Sequence, residues 1–236
     1  MGDIAPGGEA LSKLGHELRS PLTGIIGLTR ILLMKLAAGT ADPVQQKRQL
    51  EMIQTSAGRS LATVERVVAI AKIESGRAGC DRRPVDCRGV VTEVAAAFRT
   101  TAEERGLRLH TDLPDHPVVI TTDADILGQL LRELLDNAVK FSDTGEVCAR
   151  IGTDDDRPVV IDVSDDGPGI PADEQTRIFD AFERGELAAE RDDGGSGLGL
   201  YLARRLADRL DAHLSVDSQT AQRTTFTVTF PATLTS

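Results

Sequence analysis

Residues Gly15 to Thr23 read GHELRSPLT, and the heptad around them decides the first part of the fold. With Leu11 at position a, residues Leu14, Leu18, Ile25, Leu28 and Leu32 fall on the a/d seam of one long helix. His16 is then an f position, on the side opposite the seam, with Glu17 beside it. A second run repeats the pattern, with Leu50, Ile53, Ala57, Val64, Val67 and Ala71 as its seam. The two are broken near Gly39 to Pro43, which predicts an antiparallel helical hairpin that pairs with a copy of itself. A lone histidine on such a helix is ordinarily a solvated surface residue. Pro21 shifts that reading, because a helix-interior proline costs about 3 kcal/mol. A kink just beyond an exposed His-Glu pair marks a site rather than a strut.

The 236 residues suffice for one large or two small domains. Hydrophobic content of 40% builds a core, and 3% aromatic content with no Trp makes it aliphatic. A net charge of -10 and a pI near 4.9 repel phosphate backbones and anionic membranes, so nucleic acid is not an expected partner. Cys80, Cys87 and Cys148 are odd in number and form no CxxC, which argues against a disulfide framework and a zinc site and fits a reducing cytosol. No apolar run reads as approaching the roughly 20 residues that span a bilayer. A cytoplasmic chain with no membrane span of its own is expected, either complete or the soluble core of a membrane-tethered sensor.

Three regions follow along the chain. Residues 1–76 are the helical hairpin, 77–84 a short linker rich in Gly, Arg and Asp, and 85–236 a domain of alternating helices and strands. In the last, helices are predicted over Val90–Arg105, Asp125–Phe141 and Leu200–Leu210. Asp123 reads as the N-cap of the second, whose core face is Ile126, Leu127, Leu130, Leu134, Ala138 and Phe141. Strands are predicted at Leu107–Leu113, Glu146–Ile151, Val159–Val163, His213–Asp217 and Thr224–Phe230. The expected fold is a two-layer α/β sandwich, with helices on one side of a mixed sheet.

Three motifs in this domain carry chemistry. Glu133, Asn137 and Lys140 lie four and three residues apart, on adjoining turns of one helical face. A polar rim around the core stripe is as good a reading of that spacing taken alone. An acid, an amide oxygen and an ammonium on one face can nevertheless hold a hydrated magnesium and the phosphates it bridges. Next, Val159 to Pro171 reads VVIDVSDDGPGIP, where a strand feeds Asp165 into a tight turn on Gly167 and Gly169. The run also matches a dinucleotide fingerprint, but Pro168 and Pro171 remove amide donors that a pyrophosphate needs and no βαβ unit follows. A carboxylate at the end of a strand suits adenine, whose exocyclic amine donates where guanine presents an acceptor. Last, Gly194 to Leu200 reads GGSGLGL and opens a helix, so phosphate can approach both the bare backbone and the positive helix end. The acidic stretch Glu183 to Asp193 before it reads as a lid.

In their order and company these motifs resemble the cytoplasmic catalytic core of a two-component sensor histidine kinase. GHELRSPL is similar to that family's phosphoacceptor box, and LLRELLDNAVKFS to its N box. DDGPGI is similar to its G1 box, IFDAFER to its F box and GGSGLGL to its G2 box. The resemblance implies a dimeric four-helix bundle followed by an ATP-binding sandwich of the gyrase, chaperone, kinase and mismatch-repair (GHKL, Bergerat) type. It implies His16 as the nucleophile that accepts the phosphoryl group from ATP, with Glu17 taking its second ring proton. Asn137, with Glu133 beside it, would hold Mg2+, and Lys140 and Arg184 would contact phosphates. Asp165 would read adenine. Gly167, Gly169, Ile170, Gly195, Ser196, Gly197, Leu198 and Gly199 would shape the pocket and the lid hinge. A homodimer, a separate response regulator whose aspartate receives the phosphoryl group, and an upstream sensor domain or sensory partner are the implied partners.

Three residues depart from the family pattern. Ser20 stands four after the histidine, where kinases that also act as phosphatases usually carry Thr or Asn. Glu133 stands where many members have Asn, and Asp166 stands where Asn is common, which reads as tolerated variation. Glu133 also opens the main alternative, a GHKL-type ATPase or serine kinase with Glu133 as base. A phosphotransfer scaffold with an inactive ATP site is the non-enzymatic one.

Overall fold

The computed structural model describes residues 8–40, 42–77, 79–152, 159–185, 195–220 and 222–231. The chain divides into two compact units, Met1–Ala71 and Lys72–Ser236. The first is built from α1, Gly8–Ala37, and all but the last turn of α2, Pro43–Glu74. The break lies where expected: Gly39 takes φ +64°, the Thr40 N–H bonds back to the Lys35 carbonyl, and Asp42 accepts from the Val44 N–H ahead of Pro43. The α1 seam also holds. Leu14, Leu18, Ile25 and Leu28 are half-buried, Leu32 is buried and His16 is exposed.

Only part of the predicted α2 seam is shielded in the single chain, at Ile53 and Val67. Leu50, Ala57, Val64 and Ala71 are exposed, while Gln46, Gln49, Ile53, Ser56, Ser60, Thr63, Val67 and Ile70 are shielded, at alternating steps of three and four. The physical reason is that α2 carries two stripes. A mixed one of Ser, Thr, Gln and Ile is covered within the hairpin, and an aliphatic one with Leu61, Val64 and Val68 is left open. α1 also leaves Leu22, Ile26, Leu33, Met34 and Leu36 in solvent. These residues correct a second expectation. The Ser12–Ala37 stretch is, by length and composition, long and apolar enough to cross a membrane. Reading for an unbroken apolar run missed it, because single charges such as Arg30 and Lys35 interrupt the run without lowering its mean hydropathy enough.

The second unit is the expected two-layer sandwich. Its elements are β1 (Arg83–Asp86), α3 (Cys87–Glu104), β2 (Arg108–Asp112), β3 (Val119–Thr122), α4 (Ala124–Phe141), β4 (Glu146–Gly152) and β5 (Val160–Asp165). After a 3-10 turn at Arg177–Phe179 come α5 (Gly199–Arg209), β6 (His213–Ser218) and β7 (Thr224–Thr229). Strand order in the main sheet is β2-β4-β5-β7-β6, with β2 and β4 parallel and the other pairs antiparallel. Val147, Ala149, Ile151, Ile161, Val163, Phe226 and Val228 are buried on one face of the sheet, and α4 packs there between α3 and α5. Leu131 and Leu135 join the predicted α4 core, while Ile126 and Phe141 are only half-buried.

A small β1–β3 ribbon was not foreseen, and β1 begins inside the stretch read as linker. Arg83 pairs with Thr122 and Asp86 with Val119. Asp86 also starts α3 three residues earlier than expected, its carboxylate accepting from the Arg88 and Val118 N–H groups. Asp123 is the N-cap predicted for α4: Oδ1 accepts from the Asp125 and Ile126 N–H groups at 3.0 and 3.1 Å, and Oδ2 from Asp81 N–H at 2.7 Å. One carboxylate therefore both starts the central helix and ties the segment leading into β1 to it. Asp123→Ala is expected to destabilise the second unit by about 1–2 kcal/mol, and Asp123→Asn by clearly less, in urea titrations followed by circular dichroism.

Candidate functional site

Burying the leucine face of α4 fixes the rotation of the helix, and Glu133, Asn137 and Lys140 are left half-buried on its margin. Lys140 Nζ lies 4.9 Å from the centroid of the Phe141 ring. It also reaches the glycine-rich turn, since a Cβ on Gly195 would come within 2.6 Å of Nζ. Two of the predicted motifs thus meet at one ammonium. The same turn is clamped to the F-box residues. Phe182 N–H donates to the Gly197 carbonyl at 2.9 Å, and a Cβ on Gly197, at φ +66°, would strike the Phe182 and Glu183 backbone. Phe182 itself holds φ 64°, a strained value for a side chain of its size. Arg184 follows it, half-buried. The predicted lid lies mostly outside the described residues, as does Gly194.

Ser196 Oγ is buried and has no hydrogen-bond partner among the described residues. An unpaired buried hydroxyl costs about 1–3 kcal/mol, which an anionic oxygen would relieve. Next to it α5 begins at Gly199, after buried Leu198, without a side-chain cap, leaving the helix start suited to an anion. A lysine, an orphaned hydroxyl and an uncapped helix start fit a polyphosphate. Among the described residues no three His, Cys, Asp or Glu side chains cluster as a metal cage. Magnesium rarely needs one, because phosphates and waters complete a shell begun by one or two protein oxygens. Glu133 and Asn137 can supply those two.

Asp165 ends β5 at 5% exposure. Its Oδ1 accepts from Gly167 N–H at 2.9 Å and from the Ser142 hydroxyl at 3.4 Å. Burial pushes its carboxyl up to about 6, against the pull of those two donors; Asp166 adds to the rise and Arg223 opposes it. Gly167 has to be glycine, since a Cβ would sit 2.5 Å from that Oδ1. Gly169, at φ +75°, lies so close to the Gln219 carbonyl that any Cβ would collide with it. Beyond it the Ile170 N–H donates to Ser218 Oγ, and Gln175 Nε2 donates to the Ile170 and Ser218 carbonyls. The carboxylate-bearing turn is thereby fastened to the β6–β7 hairpin.

Asp166, expected to be tolerated variation, is a brace. It accepts from the Glu146 N–H at 2.9 Å and from Arg223 Nε at 3.0 Å, joining the start of β4 to the residue before β7. Ser142, Gln175 and Ser218 were also missed by sequence reading, since each acts through a contact with residues distant in the chain. In the other unit, His16 is exposed and Glu17 half-buried beside it. Pro21 lies within α1, and the helix continues past it to Ala37.

The comparisons agree with this geometry. The phosphoacceptor family "His Kinase A" matches residues 8–76, and "Histidine kinase-, DNA gyrase B-, and HSP90-like ATPase" matches residues 122–234. The chain belongs to the sensor histidine kinases. It is 33% identical over 229 residues to the autoinducer 2 sensor kinase/phosphatase LuxQ of Vibrio parahaemolyticus, covering 94% of this chain and 26% of that protein. It is also 33% identical to the aerobic respiration control sensor ArcB of Escherichia coli, over 94% of this chain and 28% of that protein. The chain thus spans between a quarter and a third of these relatives' length. Among solved structures, ShkA in complex with AMPPNP is 28% identical with a TM-score of 0.67, covering 94% of this chain and 45% of that one. Acinetobacter baumannii AdeS shares the fold at 23% identity and a TM-score of 0.68, over 92% of this chain and 98% of that one.

If Asp165 reads the base, its charge matters. Asp165→Ala should weaken ATP binding by about 1.5–3 kcal/mol and leave GTP binding nearly unchanged by calorimetry. In the wild type the preference for ATP should be full above pH 7 and fall away as pH drops through about 6, where the carboxylate protonates.

Proposed function

We propose that this chain is an ATP-dependent protein histidine kinase core that phosphorylates its own His16 and passes the phosphoryl group to an aspartate of a separate response regulator. The observation that carries the reading is that one unit presents an exposed His16 with Glu17 beside it, while the other carries both a polyphosphate-suited glycine-rich turn and an adenine-suited carboxylate. A structure neighbour, ThkA, was solved in complex with its response regulator TrrA, and ShkA with AMPPNP, which supports both partners for this chain.

In the proposed step a ring nitrogen of His16 attacks the γ-phosphorus of ATP. A P–N bond forms, the P–O bond to ADP breaks, and ADP leaves with the electron pair. Glu17 takes the proton from the other ring nitrogen. Asp165 holds adenine, Lys140 and Arg184 neutralise phosphate charge, and the glycine-rich turn with Ser196 encloses the phosphates. Mg2+ on Asn137 and Glu133 would supply charge neutralisation between the phosphates. Such transfer depends on in-line positioning and charge more than on covalent help. Because the phosphoacceptor family covers the hairpin, a kinase accounts for more of the chain than an ATPase using Glu133.

The open aliphatic stripes of α1 and α2 support a homodimer, since a contiguous apolar face of this kind is unstable in water. The same argument favours a cytoplasmic bundle for α1 over a membrane span: a second hairpin would cover the open aliphatic side chains of α1 and α2 together, while His16 lies opposite the a/d seam. The signal would come from a further domain or a sensory partner.

With labelled ATP and magnesium, His16→Gln should abolish labelling while ATP affinity is unchanged. Glu17→Gln should slow labelling by about 10²-fold or more, with the loss from Glu133→Gln clearly smaller; the reverse order, with phosphate release outpacing labelling, would support the ATPase instead. In sedimentation the full chain should be a dimer, and Leu61→Glu with Val68→Glu should make it monomeric without loss of nucleotide binding.

A further inference from the structure

We propose that Ser142 is a positioning residue for nucleotide choice: with the Gly167 N–H it holds Asp165 so that Oδ2 alone meets the base, which sets both the preference for adenine over guanine and the pH at which that preference is lost. The inference rests on the reading of Asp165 as the adenine contact.

Ser142 is fully buried and closes α4, its backbone N–H bonding to the Ala138 carbonyl. Its hydroxyl lies 3.4 Å from Asp165 Oδ1, the oxygen that also accepts the Gly167 N–H at 2.9 Å. Oδ1 therefore faces two donors, and none among the described residues reaches Oδ2. That asymmetry has a chemical consequence. While the carboxylate is charged, Oδ2 is a pure acceptor and matches the exocyclic amine of adenine. When it takes up a proton, the two donors at Oδ1 force that proton onto Oδ2. The group then donates where adenine also donates, and it matches the carbonyl oxygen of guanine instead. Protonation does not merely weaken the contact; it inverts the selection.

The other groups facing Asp165 cannot do this. Asp166 and Arg223 act on it by charge, from the same turn and from the residue before β7, and both are occupied with each other at 3.0 Å. Thr224 pairs with Asp165 across the sheet, and its hydroxyl is shared with Ser218. Among the described residues only Ser142 gives Asp165 Oδ1 a second donor. Without it the carboxylate is held by one bond, free to turn about it, and less able to stay charged where it is buried.

The test is the ratio of ATP to GTP affinity of the full chain with magnesium, followed by calorimetry from pH 5 to 8. Titration of the triphosphate is common to both nucleotides and cancels in the ratio. In the wild type the ratio should collapse around pH 6. Ser142→Ala should move that collapse upward by roughly 0.5–1 pH unit and lower the ratio at pH 7. Ser142→Thr should restore both. Ser142→Cys, a near-isostere with a weaker donor, should fall between and serves if the alanine variant folds poorly; melting temperatures report folding for each. Wild-type midpoints and ratios in the folded alanine or cysteine variants would overturn the inference. If Asp165→Ala erases the preference while Ser142→Ala leaves it intact, this inference alone fails. If Asp165→Ala also leaves the preference intact, the adenine reading fails with it.

Discussion

The burial of one face of α4 is the constraint on which the nucleotide domain depends. Leu127, Leu130, Leu131, Leu134 and Leu135 are each no more than 1% exposed, and burying a leucine is worth about 1.5–3 kcal/mol. A helix held by five such side chains has no freedom to rotate. Glu133, Asn137 and Lys140 are therefore delivered to the margin of the domain without any contact of their own needing to place them. The end of the same helix sets Ser142 under Asp165, and its start is fixed by Asp123. The remaining parts of the site are fastened to this helix or to the sheet beneath it. The G1 turn is tied to the β6–β7 hairpin through Ser218 and Gln175, and the glycine-rich turn to Phe182.

What the sequence made legible follows from this. The α4 stripe, its Asp123 cap and the glycine turns are local patterns, in which each residue's role can be read from its neighbours a few positions away. The mixed sheet was legible for the same reason, because Phe226 and Val228 alternate with threonines. The β1–β3 ribbon was not legible: its strands are four residues long, and β1 contains Pro84. In the single chain the predicted α2 seam splits: Ile53 and Val67 are shielded, while Leu50, Ala57, Val64 and Ala71 lie open beside shielded Ser, Thr and Gln positions. A rule that puts the most apolar stripe inward has no means of telling an inner face from one awaiting a partner.

The same limit applies to Asp166 and Ser142. Asp166 stands in a family position where another residue is common, and variation at one site carries no record of Arg223, 57 residues away, or of the Glu146 amide. Both residues act on the nucleotide site through backbone and carboxylate contacts that exist only once β4, β5 and the β6–β7 hairpin are assembled. The glycines announce themselves because their absence of a side chain is itself the signal. A serine or an aspartate has many possible uses.

The central claim is that the phosphoryl group leaves ATP for a ring nitrogen of His16 and not for water or a hydroxyl. The chemical stability of the label on the 236-residue chain tests it most directly. A phosphoramidate on histidine should lose its label within minutes in acid and keep it in alkali. Label that survives acid, or free phosphate released with no labelled protein at any time, would contradict the account.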